Sequence, residues 1–282
     1  MRFVVVRRVL TAGVAVLAGL LPAALSGCAF HLPPKPEVYR ALRQEFRLPK
    51  HDVLLHCVKP AKPRSRRLLI LFATGDAGWL GTSHQIFEHM ANEGYYVAAY
   101  SSREVLKPAR TSGRLVAIND AAGVVESLLE QSRRILGLPG TTPVIVTGFS
   151  RGANLVVLTA GVKSLQRHLV GAIAMALTRE TDFLKAPPPS LRPPAVQVDE
   201  RGRIQTYPAI ELAGSIPFAV IESKRDHYVP AEESRRLFGP DTDTRRLYQV
   251  DAESHGFRGG KKALLHDLDD ALGWIEGKAR AR

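Results

Sequence analysis

The sequence predicts an α/β domain built on a mostly parallel, twisted sheet with helices on both faces. From about residue 52, short apolar and β-branched segments alternate with longer segments of helical periodicity, as in such sheets. The 282 residues are 45% hydrophobic and 23% charged, which is a globular composition with enough apolar side chains for one large core. We therefore expect a single domain over residues 51–282.

Seven strands and two helices are expected. The helices are predicted at 83–92 and 118–136, each followed by a glycine, Gly94 or Gly137, where helix-ending glycines belong. The strands are predicted at 52–58, 67–73, 96–101, 143–147, 170–176, 217–222 and 246–250. Residues 178–214 interrupt this alternation with two groups of prolines, so we expect an insertion, either a cover over an active site or a plain surface loop.

Residues 1–27 have the three parts of a secretory signal peptide: early arginines, an apolar stretch, and small residues at its end. The final Leu-Ser-Gly-Cys resembles a bacterial lipobox, which implies cleavage before Cys28 and acylation of that cysteine. Residues 28–50 contain three closely spaced prolines and are predicted to be a spacer. We therefore expect a periplasmic, extracytoplasmic domain that is anchored to a membrane through lipid on Cys28.

The formal net charge of +12 favours an anionic partner, either nucleic acid or an anionic lipid surface. Export excludes nucleic acid, which leaves the lipid surface or an arginine excess that only solvates the protein. The second cysteine, Cys57, lies in an apolar segment and is expected to be a small buried side chain without a function.

A nucleophile elbow is predicted at residues 148–152, whose sequence is Gly-Phe-Ser-Arg-Gly. It follows the apolar segment 143–147 and precedes a helix-like segment that begins at Ala153. A sharp turn between a strand and a helix needs small residues beside the serine, and it presents the hydroxyl above the sheet edge. Ser150 is therefore the candidate catalytic nucleophile, and a structural serine in a glycine-rich turn is the alternative.

A serine nucleophile needs a base, and the base needs an acid that holds its tautomer. The α/β-hydrolase fold supplies them later in the chain, in the order Ser, Asp, His. Asp226 follows the predicted strand 217–222, and His255 follows the predicted strand 246–250. Both should therefore meet Ser150 at one edge of the sheet, with His255 as base and Asp226 as acid.

Three other residues could take these roles. His227 is adjacent to the candidate acid, and on a turn it would point away from Asp226. Glu222 and Asp251 are alternative acids, but each still belongs to the end of a strand rather than to the loop that follows. We therefore prefer Asp226 and His255.

An oxyanion hole needs two backbone donors, one after the serine and one in the loop after an early strand. The Arg151 amide is the first candidate, and the Asp76 amide is the second. A carboxylate beside a developing negative charge is unfavourable unless a cation lies nearby. We therefore expect Asp76 to bind a substrate ammonium group, the alternative being that it faces away and caps the next helix.

Other chemistries have little support in the sequence. Residues 256–262 superficially resemble a phosphate-binding loop, but the spacing is short and Lys262 replaces the required hydroxyl residue. The sequence contains no dinucleotide-binding glycine motif and no clustered His/Cys metal spacing. We therefore expect no cofactor and no metal.

With the loop 75–79, Gly-Asp-Ala-Gly-Trp, and the elbow 148–153, the sequence resembles the bacterial virulence family of VirJ and AcvB over about residues 65–260. It departs from the family's loop at Ala77 and from a soluble periplasmic form in its lipobox. The resemblance implies an α/β-hydrolase that cleaves the aminoacyl ester of lysyl-phosphatidylglycerol, an anionic membrane lipid. A carboxylesterase or dienelactone-hydrolase-like enzyme on a soluble ester is one alternative. A non-catalytic binding or chaperone protein with a type IV secretion partner is the other.

Overall fold

The structure is a computed structural model that describes residues 39–48, 51–64, 67–107 and 115–281. Eight strands in these ranges form the main sheet: β1 (Tyr39–Leu48), β2 (His51–Pro60), β3 (Leu69–Thr74), β4 (Tyr96–Ser101), β5 (Val144–Phe149), β6 (Leu169–Met175), β7 (Phe218–Ser223) and β8 (Arg245–Val250). Their order is β1-β2-β4-β3-β5-β6-β7-β8. The β1-β2 and β2-β4 pairs are antiparallel and all other neighbours are parallel.

Helices cover both faces of this sheet, as the sequence predicts. They are α1 (Thr82–Asn92), α2 (Ser102–Val105), α3 (Ile118–Leu136), α4 (Arg151–Ala160), α5 (Lys163–Gln166), α6 (Thr206–Ala209), α7 (Ala231–Phe238) and α8 (Lys261–Arg280). Helices α3 and α4 pack on one face, and α1 and α8 pack on the other. The end of α3 is as expected, because Gly137 has a φ of 65° in the left-handed region.

Alternation along the central strands explains why two apolar layers form. In β3, Leu69 and Leu71 belong to the core beneath α3 and α4, whereas Ile70 and Phe72 belong to the core beneath α1 and α8. Successive side chains of a strand point to opposite faces, so a strand that is apolar throughout needs cover on both sides. The seven expected strands are all present, and their observed ends differ by no more than a few residues.

One strand was not expected. Residues 39–48 lie in the segment predicted to be a spacer, but they form β1 and pair with β2 from Tyr39↔Pro60 to Leu48↔His51. Four charged residues interrupt its apolar pattern, which is tolerated at the edge of a sheet but hides the strand from a search for apolar segments. The domain therefore begins before residue 51, whereas residues 1–38, with the predicted signal peptide and Cys28, lie outside the described residues.

The insertion at 178–214 is a folded part of the domain. Glu180–Thr181 pairs with Ile204–Gln205, and Leu184–Lys185 pairs with Val116–Ala117 just before α3. Short 3-10 turns at Pro189–Leu191 and Ile210–Ala213 complete it. Its apolar side chains join the core that contains α3 and α4, so the segment is held in place by packing as well as by pairing.

Two further expectations concern membranes and the second cysteine. Within the described ranges, no helix combines the length and the hydropathy that a membrane crossing needs. Cys57 is 1% exposed, and burial raises the pKa of its thiol to about 12. The thiol is therefore neutral, and the expectation of a small buried side chain is confirmed.

Candidate active site

Ser150 occupies a strained turn between the end of β5 and the first residue of α4. Its φ of 54° and ψ of −118° lie in a region that residues with a side chain rarely adopt. The Ser150 amide donates a hydrogen bond to the carbonyl oxygen of Met175 at 2.8 Å, which fixes the turn against the end of β6. Backbone strain of this kind persists where the surrounding structure holds it, and it marks functional positions.

The two glycines of the elbow allow close approach of the backbone. A Cβ atom on Gly148 would lie 2.2 Å from the carbonyl oxygen of Gly152, and one on Gly152 would lie 2.2 Å from that of Ala73. Both distances are far below van der Waals contact. Strand, turn and helix therefore pack as the pentapeptide predicts, with the helix start directly against β3.

Three side chains form one chain of hydrogen bonds at the carboxyl-terminal edge of the sheet. Nε2 of His255 lies 2.8 Å from Oγ of Ser150, and Nδ1 of His255 lies 2.6 Å from Oδ2 of Asp226. Because the carboxylate only accepts, Nδ1 carries the proton and Nε2 is free to accept the serine proton. The structure thus brings together the three residues that the sequence nominated.

The loop after β7 holds the acid in place. The Asp226 side chain is fully buried, and its second oxygen, Oδ1, accepts a hydrogen bond from the Tyr228 amide at 2.8 Å. The Ser223 hydroxyl donates to the carbonyl oxygen of Ala252 at 3.0 Å and so ties the ends of β7 and β8 together. With both carboxylate oxygens bonded, Asp226 has one orientation toward His255.

The three alternative residues for the base and the acid are either exposed or bonded to other groups. The His227 side chain is 69% exposed, and its Nδ1 lies 4.0 Å from Asp226 on the opposite oxygen from His255. Asp251 is exposed and paired with Arg225 at 3.0 Å. Glu222 is fully buried and bonded to Leu177 and Tyr207 rather than to a histidine.

The loop after β3 reaches the nucleophile, as an oxyanion hole requires. A Cβ atom on Gly75 would lie 3.1 Å from Cβ of Ser150, so a side chain at position 75 would require the loop or Ser150 to shift by a few tenths of an ångström. Asp76 and Arg151 both line the cleft beside Ser150. The Arg151 amide belongs to the first turn of α4, where amides have no partner within the helix and carry the positive end of the dipole.

The side chains of the two oxyanion candidates contact each other, which corrects the expectation for Asp76. Oδ1 of Asp76 lies 2.5 Å from Nε of Arg151. The contact is an ion pair without good hydrogen-bond geometry, because the Arg151 Nε–H has no hydrogen-bond acceptor. The cation that the Asp76 carboxylate needs is therefore supplied by the protein, and a substrate ammonium group is not required to explain it.

Solved structures match this chain over most of its length. Est1E from Butyrivibrio proteoclasticus matches with a TM-score of 0.56 and 13% identity, over 83% of this chain and 99% of that one. The fold is the α/β-hydrolase fold. XC6422 from Xanthomonas campestris, a serine hydrolase of this fold without a lid, matches with a TM-score of 0.53 and 14% identity, over 83% and 94% of the two chains.

An α/β serine hydrolase homologue from Coxiella burnetii is a third match, with a TM-score of 0.54 and 14% identity over 80% of this chain and 95% of that one. At such identities the likeness establishes the α/β-hydrolase fold alone. No family model matches the sequence, and no curated protein matches it.

A cleft of about 530 Å³ lies above the α/β-hydrolase elbow. The first residues of the insertion, 178 and 180–183, form one of its walls. Phe183 packs against Arg151, with the guanidinium carbon 4.8 Å from the ring centroid. The lining includes Asp76, Leu80, Phe149, Ser150, Asp182, Phe183, Tyr228 and His255.

Tyr228 forms another part of the cleft wall, next to His255. Its ring centroid lies 4.8 Å from that of His255 in an edge-to-face arrangement, and the residue is 51% exposed. Sequence reasoning missed Tyr228 and Asp182, although Tyr228 follows the acid by two positions and Asp182 lies in the insertion. Neither belongs to a motif, and only the folded chain places them at the cleft.

Acidic groups dominate the charged lining of the cleft. Glu180 is paired with Arg203 at 2.5 Å, and Asp76 is paired with Arg151. Asp182 is exposed, and its charge acts on nearby Arg203, although among the described residues its carboxylate makes no hydrogen bond and no ion pair within 4.0 Å. A molecule with a net charge of +12 thus presents an exposed carboxylate at its cleft.

Metal-binding groups lie away from this site. Within the described part of the chain, two sets of side chains could each reach one ion, and none of these residues lines the cleft: His89, Glu93 and Asp269, and His266, Asp267 and Asp270. The first set joins the carboxyl-terminal end of α1 to α8, and the second lies within α8.

Proposed function

We propose that the protein is a serine hydrolase that cleaves esters through a Ser150–His255–Asp226 triad. The observation that carries this proposal is the continuous chain of hydrogen bonds, 2.8 Å from serine to histidine and 2.6 Å from histidine to aspartate. The strained elbow and the open cleft above Ser150 give a substrate carbonyl access to the hydroxyl. A binding protein would have no need for this arrangement.

The geometry supports a two-step reaction. His255 Nε2 takes the proton of Ser150 as Oγ attacks the ester carbonyl carbon, and Asp226 stabilises the imidazolium ion. The oxyanion is held by the amides of Asp76 and Arg151. The ester bond breaks when His255 gives the proton to the leaving alcohol. Water then attacks the carbonyl carbon of the acyl-Ser150 ester while His255 takes its proton. His255 gives that proton to Oγ as the C–Oγ bond breaks, which releases the acid and restores the Ser150 hydroxyl.

Active-site labelling tests this proposal directly. A fluorophosphonate probe should label the purified protein on Ser150, and p-nitrophenyl esters should be hydrolysed at the same site. Ser150→Ala should lose both while it keeps the circular dichroism spectrum of the wild type. A folded protein that is neither labelled nor active would refute the proposal and favour a binding role.

For the substrate, the proposal is the aminoacyl ester of an anionic lipid, lysyl-phosphatidylglycerol. The residues that resemble the VirJ and AcvB family suggest it, and the exposed carboxylate of Asp182 in the cleft lining is suited to a cationic acyl group. Asp76 is less suited to that task than the sequence indicated, because Arg151 already neutralises it. A neutral soluble ester remains the competing substrate, and ferulic acid has been seen bound to Est1E.

The proposal includes a lipid anchor and a periplasmic location. Both rest on the lipobox that ends at Cys28, and no described residue bears on them. An anchor would hold the cleft near a lipid substrate, whereas free diffusion would suit a soluble ester.

A further inference from the structure

Glu222 is a carboxyl group that the reaction does not use, although it lies beside the site. It is the penultimate residue of β7, it is 0% exposed, and it precedes Asp226 by four positions. Glutamate is almost never fully buried unless it is paired. The environment of this side chain therefore needs a physical account.

Both hydrogen-bond donors to Glu222 act on one oxygen. Oε1 accepts from the Leu177 amide at 2.9 Å and from the Tyr207 hydroxyl at 3.0 Å. Oε2 is buried without a hydrogen-bond partner. Among the described residues no lysine, arginine or histidine pairs with this carboxyl group, so no positive charge balances an ionised form.

The neighbouring titratable groups also oppose ionisation. Burial and the charge of Asp226 raise the pKa of Glu222 well above its usual value, and the two hydrogen bonds lower it by less. Burial also raises the pKa of Tyr207, with added contributions from Glu222, Asp226 and Glu233. Full burial without a paired cation therefore favours the neutral form of Glu222, with Tyr207 as donor to Oε1.

The two donors lie at opposite ends of the insertion. Leu177 immediately precedes residues 178–214, and Tyr207 lies in α6 near the end of that segment. Between these positions the chain supplies a wall of the cleft, including Asp182 and Phe183. One carboxyl group thus joins both ends of the cleft wall to the strand whose following loop carries Asp226.

We propose that Glu222 is a positioning residue: as an uncharged carboxyl group it fastens both ends of the insertion to β7 and leaves the negative charge beneath His255 to Asp226. This inference rests on the proposed function only for its effect on hydrolysis. Ionisation of Glu222 would place a second charge in the same buried region. Release of the insertion would separate the two charges from each other and would weaken catalysis by displacing a wall of the cleft.

Stability as a function of pH tests the uncharged state without any assay of hydrolysis. The native state holds a proton that the unfolded chain releases above the ordinary pKa of 4.5. The wild type should therefore lose stability relative to Glu222→Gln as pH rises from about 5 to 8. The urea midpoint of the wild type minus that of the variant should fall over this range. A difference that stays constant with pH would overturn the proposal.

A second buried glutamate provides the matched control. Glu276 has a 7% exposed side chain but contacts Arg64 and Arg280, each at 3.6 Å. For Glu276, the difference in urea midpoint between the wild type and Glu276→Gln should not fall as pH rises. If both pairs behave alike, the effect belongs to burial in general and the role of Glu222 is refuted.

Hydrolysis tests the positioning role. The glutamine amide oxygen can accept both hydrogen bonds, so Glu222→Gln should hydrolyse p-nitrophenyl butyrate within about twofold of the wild type at pH 7. The decline of hydrolysis at alkaline pH should begin at a higher pH in Glu222→Gln than in the wild type. Glu222→Leu accepts neither bond and should lose about tenfold or more. A folded but inactive glutamine variant would overturn the inference, whereas an inactive, unlabelled wild type would refute the proposed function and leave the stability test standing.

Discussion

The Asp76 carboxylate lies 2.5 Å from Nε of Arg151, so the residues whose amides are the candidate oxyanion donors also form an ion pair with each other. The Asp76 side chain is 59% exposed and that of Arg151 is 22% exposed. Arg103 adds a hydrogen bond to the carbonyl oxygen of Asp76 at 3.1 Å. The pair joins the loop after β3 to the start of α4, and it neutralises the acid beside the oxyanion.

Asp76→Asn should therefore have a modest effect that does not depend on the charge of the substrate. Exposed ion pairs contribute about 1 kcal/mol or less, so we expect kcat/KM to fall by roughly two- to fivefold. The fall should be similar for lysyl-phosphatidylglycerol and for p-nitrophenyl butyrate. A loss above tenfold on the lysyl ester alone would return substrate recognition to Asp76.

Asp182→Asn should instead separate cationic from neutral substrates. Charge-assisted hydrogen bonds contribute about 1.5–3 kcal/mol, and solvent screening at this exposed site reduces that value. We expect kcat/KM for the lysyl ester to fall by roughly three- to tenfold, with p-nitrophenyl butyrate unchanged. Asp199→Asn is the control, because that carboxylate is occupied by Arg203 at 2.7 Å. Equal losses on both substrates would argue against a cationic acyl group.

The triad predicts a graded series of losses. Ser150→Ala and His255→Ala should each reduce kcat by about 10⁴-fold or more, and Asp226→Ala by less, because residual base activity survives loss of the acid. His227→Ala should remain within roughly threefold, since its side chain is 69% exposed and its Nδ1 lies 4.0 Å from Oδ1 of Asp226, beyond hydrogen-bond distance. Steady-state kinetics with p-nitrophenyl butyrate would measure all four. An inactive His227 variant beside an active His255 variant would reassign the base.

Much of this site could be predicted because the fold imposes an order on the chain. Ser150, Asp226 and His255 each follow a strand, and parallel strands end at the same edge of the sheet. Asp182 and Tyr228 could not be predicted, because their positions depend on how the insertion and the acid loop pack. The ion pair between Asp76 and Arg151 joins side chains 75 positions apart, and no local pattern reveals it.

The fold also has elements that the sequence predicts and one that it does not. Fully buried central strands have continuous apolar sequences and were located from them. The edge strand β1 carries charged residues, and its sequence predicts part of a spacer instead of a strand. Its partner β2 is apolar enough to be recognised, but pairing is a property of both strands and only one of them carried the signal.

The elbow glycines predict a large difference between two chemically identical changes. Gly152→Ala would place Cβ 2.2 Å from a backbone oxygen of β3, so we expect loss of soluble protein or a fall in stability of about 3 kcal/mol or more. Gly123→Ala in α3 meets no atom within 4 Å and should stabilise by roughly 0.5–1 kcal/mol. Urea denaturation compares them. A tolerated Gly152 variant would mean that the elbow packs less closely.

The lipid anchor predicts a change in fractionation. Cys28→Ser should prevent acylation, so that the protein leaves the membrane fraction and its labelling by a palmitate analogue is lost. Mass spectrometry of the native amino terminus provides the second measurement. An unmodified peptide that contains residues 1–27 would exclude cleavage and anchoring together.

The triad residues follow three separate strands, β5, β7 and β8, and this determines when the folding protein can first become active. A ribosome that has just completed Asp226 has produced a nucleophile and an acid without their base. Parallel strands pair only across long intervening segments, and such non-local contacts form slowly. Hydrolytic competence should therefore arise in one late step, when β8 docks beside β7. During refolding from urea, we expect probe labelling to lag behind the recovery of helical signal.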